Sequence, residues 1–468
     1  MIGPSPSLLG AEMGASKLKP AGLSELKGNL GPVAITAQAV ATIGLTLTAV
    51  INIPQAFAVA GQATWIAYAF ALIAITLVSE TLVLFRHEPG QANGIAGYVS
   101  AGLGRQAGAL ATWALFLGYG SVMLACLMFF GFYLDAFAHR IGLPVPAFAA
   151  FLVGGLGCLA LARRDVRLST TTMLLTESIS LLIVLGLCGV VLQHGGAPAD
   201  LRALNPTGDR LNQIQGGLMI AVLSFIGFES AANLGQETKH PERTVPRAMR
   251  VAVLLAGGLF LLWAVVLSEG LAWLPASERL GLDPISLLAD RLGQPSAGTW
   301  IKGGAFLCLF GTTLGSLTAL GRVSFSLAQS GVLPKPLGAV HPRFHTPAAA
   351  LAATALPLIL VGCVLILQGV TASQAYNTLG GFSVLGFLLV YALVAISSLK
   401  RPLQGSSRRR RWLIGSGSLL AVTVVAVGYL SAIVGHQNGI LVSFGLLMLL
   451  GVVLVIAAKS ANHPHPTP

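Results

Sequence analysis

The sequence predicts an all-α integral membrane protein with twelve transmembrane helices. Its composition, its apolar stretches and the distribution of its positive charges support this fold class. Of the 468 residues, 54% are hydrophobic and only 9% are charged, whereas about a quarter of the residues in soluble domains are charged. The mean hydropathy is +0.80. Because so few charges cannot cover a water-facing surface, we expect most of the outer surface to face lipid.

Twelve apolar stretches follow one another along the chain. A helix needs about 20 apolar residues to cross the hydrocarbon core of a bilayer, and each stretch is close to that length or longer. The predicted spans are 33–59, 63–85, 106–138, 147–162, 171–193, 214–237, 251–273, 299–321, 348–368, 375–399, 412–434 and 439–458.

The positive charges predict the orientation of these spans, because cytosolic loops carry an excess of lysine and arginine. With both termini in the cytoplasm, all but six of the 28 lysines and arginines fall in cytosolic segments; Arg322, for example, is assigned to the loop after the eighth span. The six exceptions are Arg140, Arg202, Arg210, Arg279, Arg291 and Lys302.

The spans divide the chain into three parts. These are a cytosolic N-terminal tail (1–32), a twelve-helix domain (33–458) and a cytosolic C-terminal tail (459–468). Within the domain we expect a first repeat at about 33–193, a second at about 214–399, and two appended helices at about 412–458. The first 32 residues lack an apolar segment, so no cleavable signal peptide is predicted.

The net charge of +12 does not indicate a nucleic-acid partner, because the charges lie in loops beside the spans. The run Arg408–Arg411 predicts either a topology anchor or a site for anionic membrane lipid. The five cysteines lie in apolar stretches without a CxxC pair, and the nine histidines lie outside the spans. We therefore predict no metal site and no cofactor.

Two spans contain residues that weaken a helix at membrane depth. The first span contains a glycine, two threonines and a proline, in the run Gly44-Leu45-Thr46-Leu47-Thr48-Ala49 with Asn52 and Pro54. The sixth contains a glycine and a carboxylate, in the run Ser224-Phe225-Ile226-Gly227-Phe228-Glu229. Interrupted helices at matching places of two five-helix units indicate inverted repeats with a binding site between them.

Such interruptions free backbone groups for binding. Freed N–H groups can hold a carboxylate and freed C=O groups an ammonium, and a zwitterionic amino acid presents both. We therefore predict that the N–H groups of Thr46 to Ala49 bind the carboxylate and that carbonyls near Ser224 to Gly227 in the sixth span bind the ammonium. The residues concerned are Gly44, Thr46, Leu47, Thr48, Ala49, Ser224, Phe225, Ile226, Gly227, Phe228 and Glu229. The alternative is that the two glycines only allow close helix packing.

Three sets of polar groups within the spans are candidates for coupling or structural roles, because charge is costly there. Glu229 is predicted to bind the substrate amine, to carry a proton, or to hold its helix by hydrogen bonds. Glu177 is a candidate proton carrier, or else extends to the interface. Thr312, Thr313 and Ser316 are a candidate cation site, unless their hydroxyls bond to their own helix.

The sixth span and the segment after it resemble a known family. Residues 225–229 and 237–248 resemble the F-x-G-F-E and E-T-x-x-P-x-R-x-x-P-R-A signature of the amino acid–polyamine–organocation superfamily. Residues 327–335 with Thr346-Pro347 are similar to its A-R-D-G-x-L-P-K and T-P loop, with Gln329-Ser330 in place of Arg-Asp. The first interruption has Thr46-Leu47-Thr48 where the family commonly has G-[SA]-G.

The resemblance implies a LeuT-like fold, with spans 1–5 and 6–10 as inverted repeats. It also implies a permease that moves amino acids or related amines by alternating access, often as a proton symporter. Several relatives carry a lysine at about the place of Glu177. We expect a multi-pass protein of the bacterial inner membrane, with a small-molecule substrate and a coupling proton as partners.

Other functions stay open at this point. A sodium-coupled symporter of another small solute and an amino-acid exchanger would use the same fold. A membrane-embedded enzyme is disfavoured because the sequence has no HExxH or GxSxG motif. A channel is disfavoured because no filter-like loop is visible.

Overall fold

The computed structural model describes residues 30–88, 93–164, 166–194, 208–279, 281–400, 402–434 and 438–461. The predicted tails, 1–32 and 459–468, lie almost wholly outside these ranges.

The described backbone consists of helices joined by turns. In chain order the α-helices are α1 (Pro32–Ile43), α2 (Leu45–Leu47), α3 (Ile53–Ala60), α4 (Thr64–Val83), α5 (Ile95–Leu103), α6 (Arg105–Arg140), α7 (Ala147–Arg164), α8 (Val166–Gln193), α9 (Gly208–Phe225), α10 (Ser230–Asn233), α11 (Pro241–Ala272), α12 (Ala276–Arg279), α13 (Pro284–Arg291), α14 (Pro295–Gln329), α15 (Ala348–Leu367), α16 (Ala372–Lys400), α17 (Arg408–Ile433) and α18 (Asn438–Ala461).

Eleven helical segments in these ranges are long and apolar enough to cross a membrane. The first, Pro32–Val83, contains α1 to α4 and has 52 residues, more than twice the length that one crossing needs. The sequence analysis divides this segment into two spans, 33–59 and 63–85. The all-α membrane architecture is confirmed, whereas the number twelve stays a prediction.

The helices differ strongly in how far they are buried. In α14, 83% of the most apolar window is buried, and in α6 the share is 72%, whereas in α18 it is only 17%. The helix α14 packs against α6, α8 and α1, and α16 packs against α6. The centre of the protein therefore lies around α6 and α14, and α18 lies at the periphery.

The position of Arg322 differs from the prediction. The eighth span was expected to end at residue 321, but α14 continues to Gln329, and Arg322 is only 4% exposed. The charge is tolerated because Glu237 pairs with it, with Nε to Oε1 at 2.8 Å and Nη2 to Oε2 at 3.2 Å. Arg322 therefore lies in a helix and not in a loop, and a buried partner offsets the cost of its charge. Its position on the cytosolic side stays a prediction.

Candidate functional site

The first helix interruption begins at Gly44. The helix α1 ends at Ile43, and Gly44 adopts a left-handed conformation with φ 72°, which glycine reaches without steric cost. The short α2 follows, then a π-helical turn at Thr48–Asn52, then α3 with a proline in its first turn. π-helical turns occur frequently at functional sites, and this one lies wholly in the interior.

The second interruption separates α9 from α10. Gly227 has φ 119°, and the carbonyls of Ser224, Phe225 and Ile226 accept no backbone hydrogen bond in the part of the chain that is described. These carbonyls are free acceptors at the end of α9, as expected where a helix is interrupted.

The two interruptions touch through their backbones. A Cβ atom placed on Gly227 would lie 2.6 Å from the carbonyl carbon of Thr42 and 2.8 Å from the nitrogen of Ile43. A Cβ atom on Gly44 would lie 2.7 Å from Oγ1 of Thr312 in α14. The structure thus brings together the two predicted glycines and one of the predicted hydroxyl residues.

A small cavity of about 30 Å³ lies between the interruptions. Its lining includes Leu47 and Asn52 from the first, Ile226 from the second, Thr312 from α14 and Tyr376 from α16. All five residues are at most 6% exposed. The space suffices for one or two water molecules, so this conformation is closed around the cavity.

The predicted binding residues divide into two groups around this cavity. Leu47 and Ile226 line it, together with Thr312 from the predicted cation site. The remaining residues of the two runs are buried nearby without lining it: Gly44, Thr46, Thr48, Ala49, Ser224, Phe225, Gly227, Phe228 and Glu229.

Asn52 and Tyr376 line the cavity but were not assigned to the site from the sequence. The hydroxyl of Tyr376 donates to Oδ1 of Asn52 at 2.8 Å, while the buried Nδ2 of Asn52 has no acceptor among the described residues. A buried donor without an acceptor is costly. The amide of Asn52 is therefore available to a ligand in the cavity. In the sequence, an amide within a predicted span pointed to Asn52, whereas no feature of the sequence pointed to Tyr376.

Glu177 contacts the first interruption from α8. Its Oε1 accepts the N–H of Thr46 at 3.3 Å, and its Oε2 is buried without a hydrogen-bond partner among the described residues. The N–H of Leu47 donates to Sγ of Cys308 at 3.2 Å. These two N–H groups are therefore engaged by α8 and α14 in this conformation. Glu177 is only 3% exposed, unlike a side chain that extends to the interface.

Glu229 is enclosed by donors from two helices and from the second interruption. Tyr119 of α6 donates to its Oε1 at 2.7 Å, and Tyr391 of α16 donates to its Oε2 at 2.8 Å. The N–H of Gly227 also donates to Oε2, at 3.1 Å. Because both carboxylate oxygens are engaged, this geometry favours the structural hypothesis, in which Glu229 holds the second interruption against α6 and α16.

The three hydroxyl groups of the candidate cation site in α14 differ in their hydrogen bonding. The hydroxyl of Thr312 donates to the carbonyl of Cys308 within its own helix at 3.0 Å, which is the alternative stated above. The hydroxyls of Thr313 and Ser316 are buried without partners in the described part of the chain. No group of three or more His, Cys, Asp or Glu side chains that could hold a metal ion occurs in that part.

The ion pair between Glu237 and Arg322 lies beyond the second interruption. The backbone around Glu237 also joins the start of α1, because the N–H of Leu30 donates to the carbonyl of Glu237 at 2.8 Å and the N–H of Lys239 donates to the carbonyl of Leu30 at 3.0 Å. These contacts join the segment before α1, the segment after α10 and α14.

Comparison with known proteins gives the family. The sequence profile of a family described as "Amino acid permease" matches residues 31–458. The chain is 29% identical over 237 residues to the human "Cationic amino acid transporter 4", which is 49% of this chain and 35% of the relative. It is 25% identical over 316 residues to the "Low-affinity putrescine importer PlaP" of Escherichia coli K12, which is 64% of this chain and 66% of the relative.

A third relative is the vacuolar "Cationic amino acid transporter 4" of Arabidopsis thaliana, 28% identical over 288 residues, which is 53% of this chain and 47% of the relative. Each of these three matches covers less than two thirds of the relative's own length. The family profile, by contrast, extends from the start of α1 into α18. The chain therefore belongs to the amino acid permeases of the amino acid–polyamine–organocation superfamily, as its motifs predict.

Proposed function

We propose that the protein is a secondary active transporter that moves a zwitterionic amino acid by alternating access, and that it is not an enzyme. The contact of two interrupted helices beside a buried cavity is the observation that carries this proposal. A transporter needs a site that can be closed from both sides, and interrupted helices give such a site free backbone groups without charged side chains.

The polar groups around the cavity suit a zwitterion. The ammonium would bind the free carbonyls of Ser224, Phe225 and Ile226, near the end of α9 where the helix dipole is negative. The carboxylate would accept from Nδ2 of Asn52. This differs from the expectation that the N–H groups of Thr46 to Ala49 bind the carboxylate, because the N–H of Thr46 is engaged by Glu177.

The residues that line the cavity indicate the charge of the substrate's side chain. The residues around the cavity in the described chain include no Asp, Glu, Lys or Arg, and a second positive charge on the substrate would need a carboxylate nearby. The names of the human and Escherichia coli relatives refer to cationic amino acids and to putrescine. We propose instead that this protein takes amino acids with neutral side chains.

Proton coupling would act through Glu177. When ionised, its carboxylate accepts the N–H of Thr46 and stabilises the shape of the first interruption. Protonation would weaken this hydrogen bond and allow α2 to move relative to α8. The proton and the substrate would thus act on the same interrupted helix, in an inner-membrane protein with both termini in the cytoplasm.

A sodium-coupled carrier is the second candidate, and one observation favours it. The buried hydroxyls of Thr313 and Ser316 lack partners among the described residues, and hydroxyl oxygens are suitable ligands for a small hard cation. An amino-acid exchanger would need neither coupling site.

Uptake into proteoliposomes distinguishes these functions. Labelled neutral and cationic amino acids are supplied under an imposed proton gradient or an imposed sodium gradient. We expect proton-driven uptake of neutral amino acids in the wild type, and in Glu177→Gln a loss of gradient-driven uptake with exchange retained. Sodium-driven uptake that Thr313→Val abolishes would favour the second candidate. Exchange without a response to either gradient would indicate an exchanger.

A further inference from the structure

The start of α17 carries four consecutive arginines that the proposed transport mechanism does not use. Arg408 to Arg411 occupy the first turn of this 26-residue helix. Cations are unfavourable there, because the helix dipole places partial positive charge at the N-terminus. An anion bound at this turn would be favoured both by the dipole and by the side chains.

Arg411 is the most unusual of the four. It is only 7% exposed, its Nε is buried without an acceptor, and its guanidinium makes no ion pair or hydrogen bond with any described residue. Buried arginines are normally paired. Arg411 is therefore a mostly buried cation in the fourth position of the helix, and no described residue supplies an anion to it.

The nearby carboxylate cannot supply that anion. Glu80 of α4 accepts from Arg250 at 2.5 Å and 2.9 Å, and its Oε2 is 3.5 Å from Nη2 of Arg410. It is therefore shared between two other arginines. Arg408 and Arg409 are exposed and have no carboxylate partner in the described chain.

Backbone donors add to the same site. The carbonyl and hydroxyl oxygens of Ser407 accept the N–H groups of Arg411 at 3.0 Å and Arg410 at 3.3 Å. This leaves the N–H groups of Arg408 and Arg409, which have no acceptor within a helix that begins at Arg408. Backbone N–H groups and guanidinium groups are the kinds of donor that bind the oxygens of a phosphate group.

The surface beyond this turn is apolar and favours a lipid as the source of the phosphate. Trp412 is 47% exposed, Leu413 is 64% exposed and Leu420 is 67% exposed. Tryptophan is enriched at the boundary between membrane and water. A headgroup phosphate at the arginines would place its acyl chains beside this exposed apolar side of α17.

We propose that the first turn of α17, with Arg411 at its buried end, binds the phosphate of an anionic phospholipid headgroup. This site lies apart from the substrate cavity, because none of its arginines lines that cavity. The bound lipid anchors α17 to α4 and α16, two of the helices against which α17 packs.

The test is lipid binding by the purified full-length protein in neutral detergent, measured by native mass spectrometry. We expect phosphatidylglycerol to bind about tenfold more tightly than phosphatidylcholine. Both lipids carry a phosphate, but only phosphatidylcholine carries a quaternary ammonium, which the arginines repel. Arg411→Gln is expected to remove this preference. The exposed pair Arg163→Gln with Arg164→Gln removes two positive charges at the end of α7, one more than Arg411→Gln, and should leave the preference intact.

A second variant covers the case in which Arg411→Gln does not fold. The exposed pair Arg408→Gln with Arg409→Gln should lower the affinity for phosphatidylglycerol at least fivefold, with an unchanged melting temperature in lipid-free detergent. Wild-type preference in both variants would overturn the proposal. If inorganic phosphate without lipid bound as tightly as phosphatidylglycerol does, and Arg411→Gln abolished that binding, the assignment to a lipid would be overturned.

Discussion

Gly227 is the residue at which the two interrupted helices meet, and replacing it tests their contact. Its φ of 119° lies in a region that side chains with a Cβ atom rarely adopt. In Gly227→Ala the added carbon would lie 2.6 Å from the carbonyl carbon and 2.7 Å from the carbonyl oxygen of Thr42. These neighbours are backbone atoms, so no rotamer change relieves the overlap, and α1 and α9 must separate.

Two costs follow from this geometry. The positive φ costs about 1–3 kcal/mol in a residue other than glycine, and forcing a carbon into a packed interior costs about 1–3 kcal/mol. A penalty near 3 kcal/mol corresponds to a change of about a hundredfold in the population of the closed conformation. We therefore expect a lower melting temperature in detergent and uptake below about a tenth of the wild-type rate.

Two control glycines separate the strain of the positive φ from the steric overlap. Gly369 also has a positive φ, 79°, but a Cβ atom there would have no neighbour within 4 Å, so Gly369→Ala carries the strain without the overlap. Gly315 lies in α14, and a Cβ atom there would be 2.6 Å from Oγ1 of Thr42 but 3.3 Å from its backbone atoms, so Gly315→Ala carries a milder backbone overlap. Gly227→Ala should lower uptake more than either control does. Uptake at the wild-type rate in Gly227→Ala would refute the close contact between Gly227 and Thr42.

Three further variants test the polar contacts. Asn52→Leu removes the unpaired amide donor and should raise KM for a neutral amino acid at least tenfold, whereas an unchanged KM would exclude this amide from the site. Arg322→Met should lower the stability by about 3–5 kcal/mol, and adding Glu237→Leu should restore most of it. If the double variant were no more stable than Arg322→Met in thermal unfolding, the ion pair would not explain the burial of Arg322. Tyr391→Phe keeps the ring but removes a hydroxyl donor to Glu229, so we expect a loss of about 1–3 kcal/mol, and an unchanged melting temperature would show that this hydrogen bond does not hold the second interruption.

Local features of the sequence predicted the helices and their interruptions. Apolar length locates a span, and glycine or proline within a span weakens the ladder of backbone hydrogen bonds. Gly44 and Gly227 were identified in this way, and both have a positive φ. These features depend only on neighbouring residues, so a single sequence contains them.

The partners across the site depend on contacts between distant parts of the chain. Tyr119 and Tyr391 are 110 and 162 positions from Glu229, and Tyr376 is 324 positions from Asn52. The rotation of each helix about its axis decides such pairs, and apolar length does not fix that rotation in a chain surrounded by lipid. For the same reason the sequence could not show that the N–H of Thr46 faces Glu177.

The interpretation of polar residues also depended on hydrogen-bond and ion-pair partners that the sequence does not reveal. Charge alone places an arginine outside a span. It could not show that Arg322 is buried in an ion pair, because its partner, Glu237, lies 85 positions away. For Glu229 the sequence left three roles open, and the two tyrosine donors favour one of them.

Counterflow tests the central claim most directly. Proteoliposomes loaded with an unlabelled neutral amino acid are diluted into a trace of the labelled one, without any ion gradient. We predict transient accumulation of label above equilibrium in the wild type, its loss in Gly227→Ala, and no accumulation when the vesicles contain only a diamine. Accumulation with the diamine and none with any neutral amino acid would contradict the proposed substrate, and no counterflow with any solute would contradict the assignment as a carrier.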